Sequence, residues 1–240
     1  FEYHVPAFKA AIDAGAHTIM INSGIINNVP VHASYELMTK LLRQDLGFQG
    51  MIVTDWEDIN KLYNRDKMVP SIKEAIKAGI NAGIDMSMIP YNYKEFCDLL
   101  TELVNEGQVP MSRIDDAATR VLTVKIKLGL FETPNTYAKD YPEFNSKAFQ
   151  QASYNAAADG ITLLKNNNNV LPLSKGAKIL VTGPNAVSKR ALNGGWTFSW
   201  QGEKIDEFGD LYHNILDAVQ QKFGKANVSY VPGVSYTKET

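Results

Sequence analysis

Cysteine is almost missing from this sequence: 240 residues carry one, Cys97. A single thiol excludes an internal disulfide framework and any cysteine-rich zinc site. Its setting in the helical pattern KEFCDLLTELV makes a buried core thiol the expectation. Excess charge is missing too. With 24 basic and 26 acidic residues the formal charge is -2, which offers no basic field to a nucleic acid and no polybasic patch to an anionic membrane. A neutral or small-molecule partner fits that balance best. No apolar run approaches the roughly 18 residues of a membrane span. Phe1 opens inside an amphipathic segment without the basic, hydrophobic and small-residue layout of a signal peptide, so no targeting is readable there. No His-x-x-x-His pair and no spaced carboxylate cluster suggests a metal, and no motif calls for a cofactor.

What is present is 45% hydrophobic residues, enough to build one large domain or two smaller ones. Helical and strand periods alternate. YHVPAFKAAIDAG leads to HTIMI, a polar loop NSGIINNVPVHAS, a helix YELMTKLLRQDLG and the strand MIVTD. A helix follows, opened by the capping pair Ser71 and Glu74 after Pro70, then the strand DMSMI and the Cys97 helix. The next helix, SRIDDAATRVLTVKIKLGLF, is expected to start at a Ser112–Asp115 capping box and to end near Gly129. Short apolar strands separated by helices are the pattern of parallel βαβ units. Residues 132–145, with two prolines and no apolar period, read as a linker. From residue 146 a helix, ITLLKN, an asparagine turn at 166–169, the strand KILVTG, a Gly- and Trp-rich loop, a helix ending near Gly224 and the strand NVSYV form a second α/β unit. The organisation expected is therefore 1–131, linker 132–145, and 146–240.

Two stretches carry chemistry. In GMIVTDWEDI a buried strand ends in Asp55, beside Trp56. Chemistry in parallel α/β sheets gathers at the carboxyl ends of strands, so Asp55 could face a cleft; it could equally cap the following turn, with Trp56 as packing. A carboxylate there could bind a metal, act as a base or attack a sugar carbon, and an indole beside it favours sugars, whose C–H faces pack on aromatic rings. In NGGWTFSWQG, Trp196 and Trp200 are too apolar to leave bare in a loop without a partner; Trp196 is expected to anchor the loop and Trp200 to stack on a ligand.

These residues resemble glycoside hydrolase family 3 along nearly the whole chain. GFQGMIVTDW is similar to the family's nucleophile segment, NAGIDMSMIP to the strand after it, and RIDDAATRVLTVKIKLGLFE to the helix closing its barrel domain. AADGITLLKNNNNVLPL and KILVTGPNA resemble the entry to its second domain, and GGWTFSWQG the sugar-stacking loop of its exo-acting β-glucan glucosidases. The resemblance implies an α/β fold: the C-terminal portion of a (β/α)8 barrel, then the linker, then the first part of a three-layer α/β sandwich.

It also implies a retaining exo-β-glucosidase acting on β-linked glucosides or oligosaccharides, in a periplasmic or secreted setting. Asp55 would be the nucleophile, Trp56 and Trp200 two sides of an aromatic clamp, and Met20 a residue near the glucose pocket, lined by NSGIINNVPVHAS. Ser23 stands where plant members carry a tyrosine, which alters the hydrogen bonding expected at that edge. For Asn22 and His32 a structural bond is at least as reasonable as a sugar contact, and His4, His17 and His213 read as structural. In retaining hydrolysis a protonated carboxylic acid about 5–5.5 Å from the nucleophile donates to the leaving oxygen and later acts as base. In the family that acid lies beyond the stacking loop, and no glutamate here falls in a matching motif, so the acid/base is expected outside this chain. Glu203 and Glu207 suit a solvated loop, and Glu57 and Asp58 suit support of the turn after Asp55.

β-Xylosidase is the runner-up, a non-catalytic sugar-binding relative is another reading, and a phosphate-binding barrel enzyme a third, disfavoured because KILVTGPNA lacks the spacing G-x-x-x-x-G-K-[ST]. An eight-fold barrel needs roughly 200 residues or more. The segment is therefore expected to be part of a longer polypeptide, or to pair with a complementing chain, and to be inactive by itself.

Overall fold

In the computed structural model, which describes residues 1–208 and 213–235, the chain alternates helices with short strands in an α/β arrangement and parts into two units between Phe144 and Asn145. In the first unit α1 (Val5–Asp13) leads into β1 (Thr18–Met20). Asn27 and Asn28, both left-handed at φ 50° and 64°, then turn β2 (Ile25–Ile26) back on β3 (Val29–Pro30). The helix read from Tyr35 onward forms as a π-helix, Glu36–Asp45. It is followed by β4 (Met51–Val53), α2 (Asp58–Asn64), α3 (Ile72–Ala82), α4 (Tyr93–Asn105) and α5 (Met111–Lys127).

The apolar run of β4 is buried because β1 lies parallel on one side, with Thr18 opposite Met51 and Met20 opposite Val53. On its other side Val53 makes one parallel bridge to Met86. Three segments thus run side by side and point their carboxyl ends the same way. DMSMI, expected as a strand, contributes only that bridge. Beyond it the Met88 N–H turns to the Thr54 hydroxyl, 2.8 Å, so a side chain replaces the ladder. The entry to β4 must be glycine: a Cβ on Gly50 would lie 2.3 Å from the His17 carbonyl oxygen.

The core forms where α3 lays Ala75, Ile76 and Ile80 against Ile52, Ile59, Leu62 and Ile84. Each buried leucine or isoleucine there stabilises by about 1.5–3 kcal/mol relative to exposure. Ser71 caps α3 as its spacing suggests, accepting the Glu74 N–H at 3.2 Å. Two readings are corrected. Ser112 and Asp115 do not cap α5, whose N-cap is Pro110, because the helix begins one residue before Ser112. Cys97 is exposed rather than buried. The helix α4 turns Phe96, Leu99, Leu100 and Leu103 inward at helical spacing, which leaves Cys97 on the exposed flank of that stripe.

Near the start of β4 a second device holds the unit together. The fully buried carboxylate of Asp85 accepts the Ile52 N–H at 2.8 Å and pairs with both Arg43 and Arg113. Arg43 also reaches the Gly50 carbonyl and Arg113 the Ile84 carbonyl, each at 3.0 Å. One acid thereby ties the π-helix, β4 and α5.

Residues 132–145 are exposed. In the second unit α6 (Lys147–Gly160) starts at Ser146, and Asn166 brackets Leu171 with two 2.9 Å bonds, closing the asparagine turn. Strand β5 (Ile179–Thr182) is followed by α7 (Lys189–Asn193), α8 (Ile205–Phe208) and α9 (Ile215–Phe223), which ends at Gly224. β6 (Val228–Val231) pairs with β5 in parallel. Among the described residues the buried apolar members here are Ala186, Ile205 and Val228. Among the described residues, too, no helix is long and apolar enough to cross a membrane.

Removing one partner of a buried ion pair leaves the other charge uncompensated. Asp85→Asn in the intact protein should therefore cost about 3–5 kcal/mol in chemical denaturation. A loss below about 1 kcal/mol would show that the arginines resolvate freely.

Candidate active site

Asp55 lies two residues beyond β4, half-buried, at the carboxyl end of the three parallel segments. The backbone that carries it is held on one side by the Met86–Met88 segment. The buried Thr54 donates its N–H to the Met86 carbonyl at 3.1 Å, and the Glu57 N–H donates to the Met88 carbonyl at 2.9 Å. Glu57 takes a left-handed conformation, φ 56°, which turns the chain sharply into α2. Between these fixed points Asp55 uses one oxygen, Oδ1, to accept the Trp56 N–H at 2.6 Å. Among the described residues Oδ2 carries no hydrogen bond. The carboxylate therefore closes a local turn with one oxygen, as the capping reading expected, and its other oxygen is not engaged in that turn.

On the far side the turn is fastened by Asp58, the first residue of α2, whose N–H reaches the Asp55 carbonyl at 3.3 Å. The Asp58 side chain is buried and collects the Ser23 hydroxyl at 2.6 Å, the Lys61 ammonium at 2.5 Å and the His32 imidazole at 2.7 Å. The imidazole approach is close but not aligned as a hydrogen bond. Burial alone would push the Asp58 carboxyl up, yet His32, Lys61 and Ser23 together hold it well below the usual carboxylate range. The structural reading of His32 fits this contact, and Asp58 supports the turn. Asn22 is used locally, its Oδ1 accepting the Gly24 N–H at 3.0 Å.

Met20 ends β1 and is 58% exposed. It and Asp55 lie at the same end of neighbouring strands. Met20 also borders an apolar hollow of about 450 Å³ with Phe8, Ile19, Ile21, Leu37 and Leu41. Neither Asp55 nor Trp56 lines that hollow, so it is not where the acid faces. Trp56 is 48% exposed and meets Tyr91 edge to face, ring centroids 6.0 Å apart and planes at 79°. Among the described residues no group of three His, Cys, Asp or Glu could hold a metal ion.

Trp200 belongs to the second unit. Its loop closes on itself where the Trp196 N–H donates to the Trp200 carbonyl at 3.0 Å. A Cβ on Gly202 would lie 2.3 Å from the Gly194 carbonyl oxygen, so only glycine fits that closure. The loop is anchored by Phe198 against Phe208, centroids 5.4 Å apart, and not by Trp196, which is 83% exposed with φ 64°. That corrects the anchoring role read for Trp196: both Trp196 and Phe198 are left-handed, at φ 64° and 59°, and it is the phenylalanine ring that packs within the unit. Trp200 is 68% exposed. Glu203 accepts from Ser199 at 2.8 Å and from the Gln201 N–H at 3.1 Å. Its own backbone N–H, then Ser199, hold its carboxyl below the usual range.

Sequence reasoning missed the partners of Asp58, the Asp85 pairs and Tyr91. Only the three-residue spacing of Asp58 and Lys61 on one helix was visible beforehand.

Residues 1–124 match the Glycosyl hydrolase family 3 N terminal domain and residues 161–238 the Glycosyl hydrolase family 3 C-terminal domain. The chain is 42% identical over 239 residues to a lysosomal beta glucosidase of Dictyostelium discoideum, covering 96% of this chain and 29% of that protein. It is 32% identical to a beta-xylosidase of Formosa agariphila, covering 99% of this chain and 34% of that one. Among solved structures, a beta-glucosidase from Listeria innocua in complex with glucose superposes with a TM-score of 0.80 at 26% identity, over 98% of this chain and 31% of that chain. This chain thus spans about a third of the length of such relatives.

Folded Asp58 resists protonation in a range where the unfolded chain, with an ordinary value of 3.8, takes protons up. Its stabilisation is complete above that value and is lost as pH falls through it toward the lower folded value. Asp58→Asn should lower stability at neutral pH and flatten the acid limb of a stability-against-pH curve. An unchanged limb would contradict the cluster.

Proposed function

Because this chain belongs to glycosyl hydrolase family 3, we propose that it carries the nucleophile and part of the sugar-binding surface of a retaining, exo-acting β-glucosidase. The observation that supports this most is Asp55 itself: a half-buried carboxylate with a free oxygen, at the carboxyl end of parallel strands, followed by an exposed indole. Its carboxylate attacks the anomeric carbon, the glycosidic bond breaks, and a glycosyl ester forms that water then hydrolyses. Trp56 and Trp200 each offer a face for stacking, and Met20 borders the glucose pocket.

The general acid is assigned to residues outside this chain. Asp58 and Glu203 are held ionised by their partners, the opposite of what a donor needs, and Glu207 is exposed. For architecture we propose that residues 1–131 are the C-terminal portion of a (β/α)8 barrel, 132–145 a linker and 146–240 the start of an α/β sandwich. The parallel order of β1, β4 and Met86 supports the barrel reading, as does the apolar hollow, which an adjoining strand would fill.

The beta-xylosidase relative at 32% identity favours one second reading, a xylosidase on the same machinery. Comparing kcat/KM for aryl β-glucoside and aryl β-xyloside with the intact enzyme decides between the two sugars. Incubation of the intact enzyme with a 2-deoxy-2-fluoro-β-glucoside should leave a sugar ester on the peptide that contains Asp55; an ester elsewhere sinks the assignment. Trp200→Ala should weaken oligosaccharide binding by a factor of about 2–10, the worth of one aromatic stacking contact. Undiminished affinity would remove Trp200 from the sugar-binding surface.

A further inference from the structure

Trp56 does not stand alone beside Asp55. The segment after the Met86 bridge is drawn against the Thr54–Glu57 turn by two bonds, the Met88 N–H to the Thr54 hydroxyl at 2.8 Å and the Glu57 N–H to the Met88 carbonyl at 2.9 Å. Three residues later Tyr91 brings its ring to within 6.0 Å of the indole, planes at 79°. Tyr91 is 72% exposed. The two rings therefore form an aromatic corner, one wall next to the acid and the other one ring further out, fixed in register by one main-chain bond and one bond to the buried Thr54 hydroxyl. Packing between the rings uses part of each and leaves most of Tyr91 bare, which is uneconomical for a residue whose task is only to prop Trp56.

We propose that Tyr91 is a specificity-determining residue, a second aromatic wall that packs the sugar one unit beyond the one stacked on Trp56. This rests on the β-glucosidase reading above. A saccharide entering with its terminal sugar at Asp55 and its next ring on Trp56 brings a third ring to the distance of Tyr91. Neutral pyranose rings suit such a wall, since C–H faces pack on a π surface and the tyrosine hydroxyl, which has no hydrogen bond among the described residues, can meet a sugar hydroxyl. Tyr91 thus selects for chain length and takes no part in bond cleavage.

The test uses the intact enzyme and its variants Tyr91→Ala and Tyr91→Phe with laminaribiose and laminaritriose. Tyr91→Ala should lower kcat/KM for the trisaccharide by about 3- to 10-fold, leaving the disaccharide nearly unchanged, and Tyr91→Phe should retain the trisaccharide preference. Equal losses on both substrates would mean that Tyr91 only supports Trp56 and would overturn the proposal, as would no change on either. A wild-type enzyme that hydrolyses neither substrate nor any aryl β-glucoside would instead overturn the β-glucosidase reading, and this inference with it.

Discussion

The buried carboxylate of Asp58 is the point at which the segments around the candidate site are joined. It lies inside the unit, where an isolated charge would cost several kcal/mol, and it remains ionised because Ser23, His32 and Lys61 reach it from the loop after β1, the turn after β3 and its own helix. Through its main-chain N–H the same residue bonds the Asp55 carbonyl. A change in the loop between β1 and the π-helix is thus felt three residues from the proposed nucleophile. An apolar residue could fill the space, but it would not fix these segments at one mutual distance.

A similar device recurs nearer the start of the strand. Asp85 gathers Arg43, Arg113 and the Ile52 N–H, so β4 is held by ionised groups at both ends with an aliphatic core between them. The division of labour differs. Asp85 is wholly engaged and its partners are cations that close the fold. Asp55 spends one oxygen on the Trp56 N–H and keeps the other available. In parallel α/β folds the carboxyl ends of strands serve chemistry and the opposite ends serve stability, and the role proposed for Asp55, with Asp85 near the start of β4, fits that rule.

Much of the local structure was legible beforehand because it depends on neighbours in sequence. The start of α3 follows from Ser71 and Glu74, the end of α9 from Gly224, and β4 from three apolar residues between a glycine and an acid. The resemblance to glycoside hydrolase family 3 was legible for the same reason, since its motifs are contiguous. What depends on distant residues was not. His32 and Asp58, or Arg43 and Asp85, are far apart in the chain, and no periodicity links them. Cys97 read as buried because it sits one residue after Phe96, at the edge of the core stripe, and Trp196 read as an anchor because sequence does not reveal which aromatic of the loop meets Phe208. DMSMI read as a strand because its composition is that of one, while the Thr54 hydroxyl diverts its amide.

The account stands or falls on the carboxylate of Asp55 as the attacking group. The most direct measurement is chemical rescue: Asp55→Ala in the intact enzyme, assayed with an activated aryl β-glucoside and added azide. Azide entering the space vacated by the carboxylate approaches from the same face, so turnover should return with azide and the product should be the α-glucosyl azide. A β-glucosyl azide, or a variant that azide does not revive although it folds and binds glucose, would contradict the assignment of Asp55 as nucleophile.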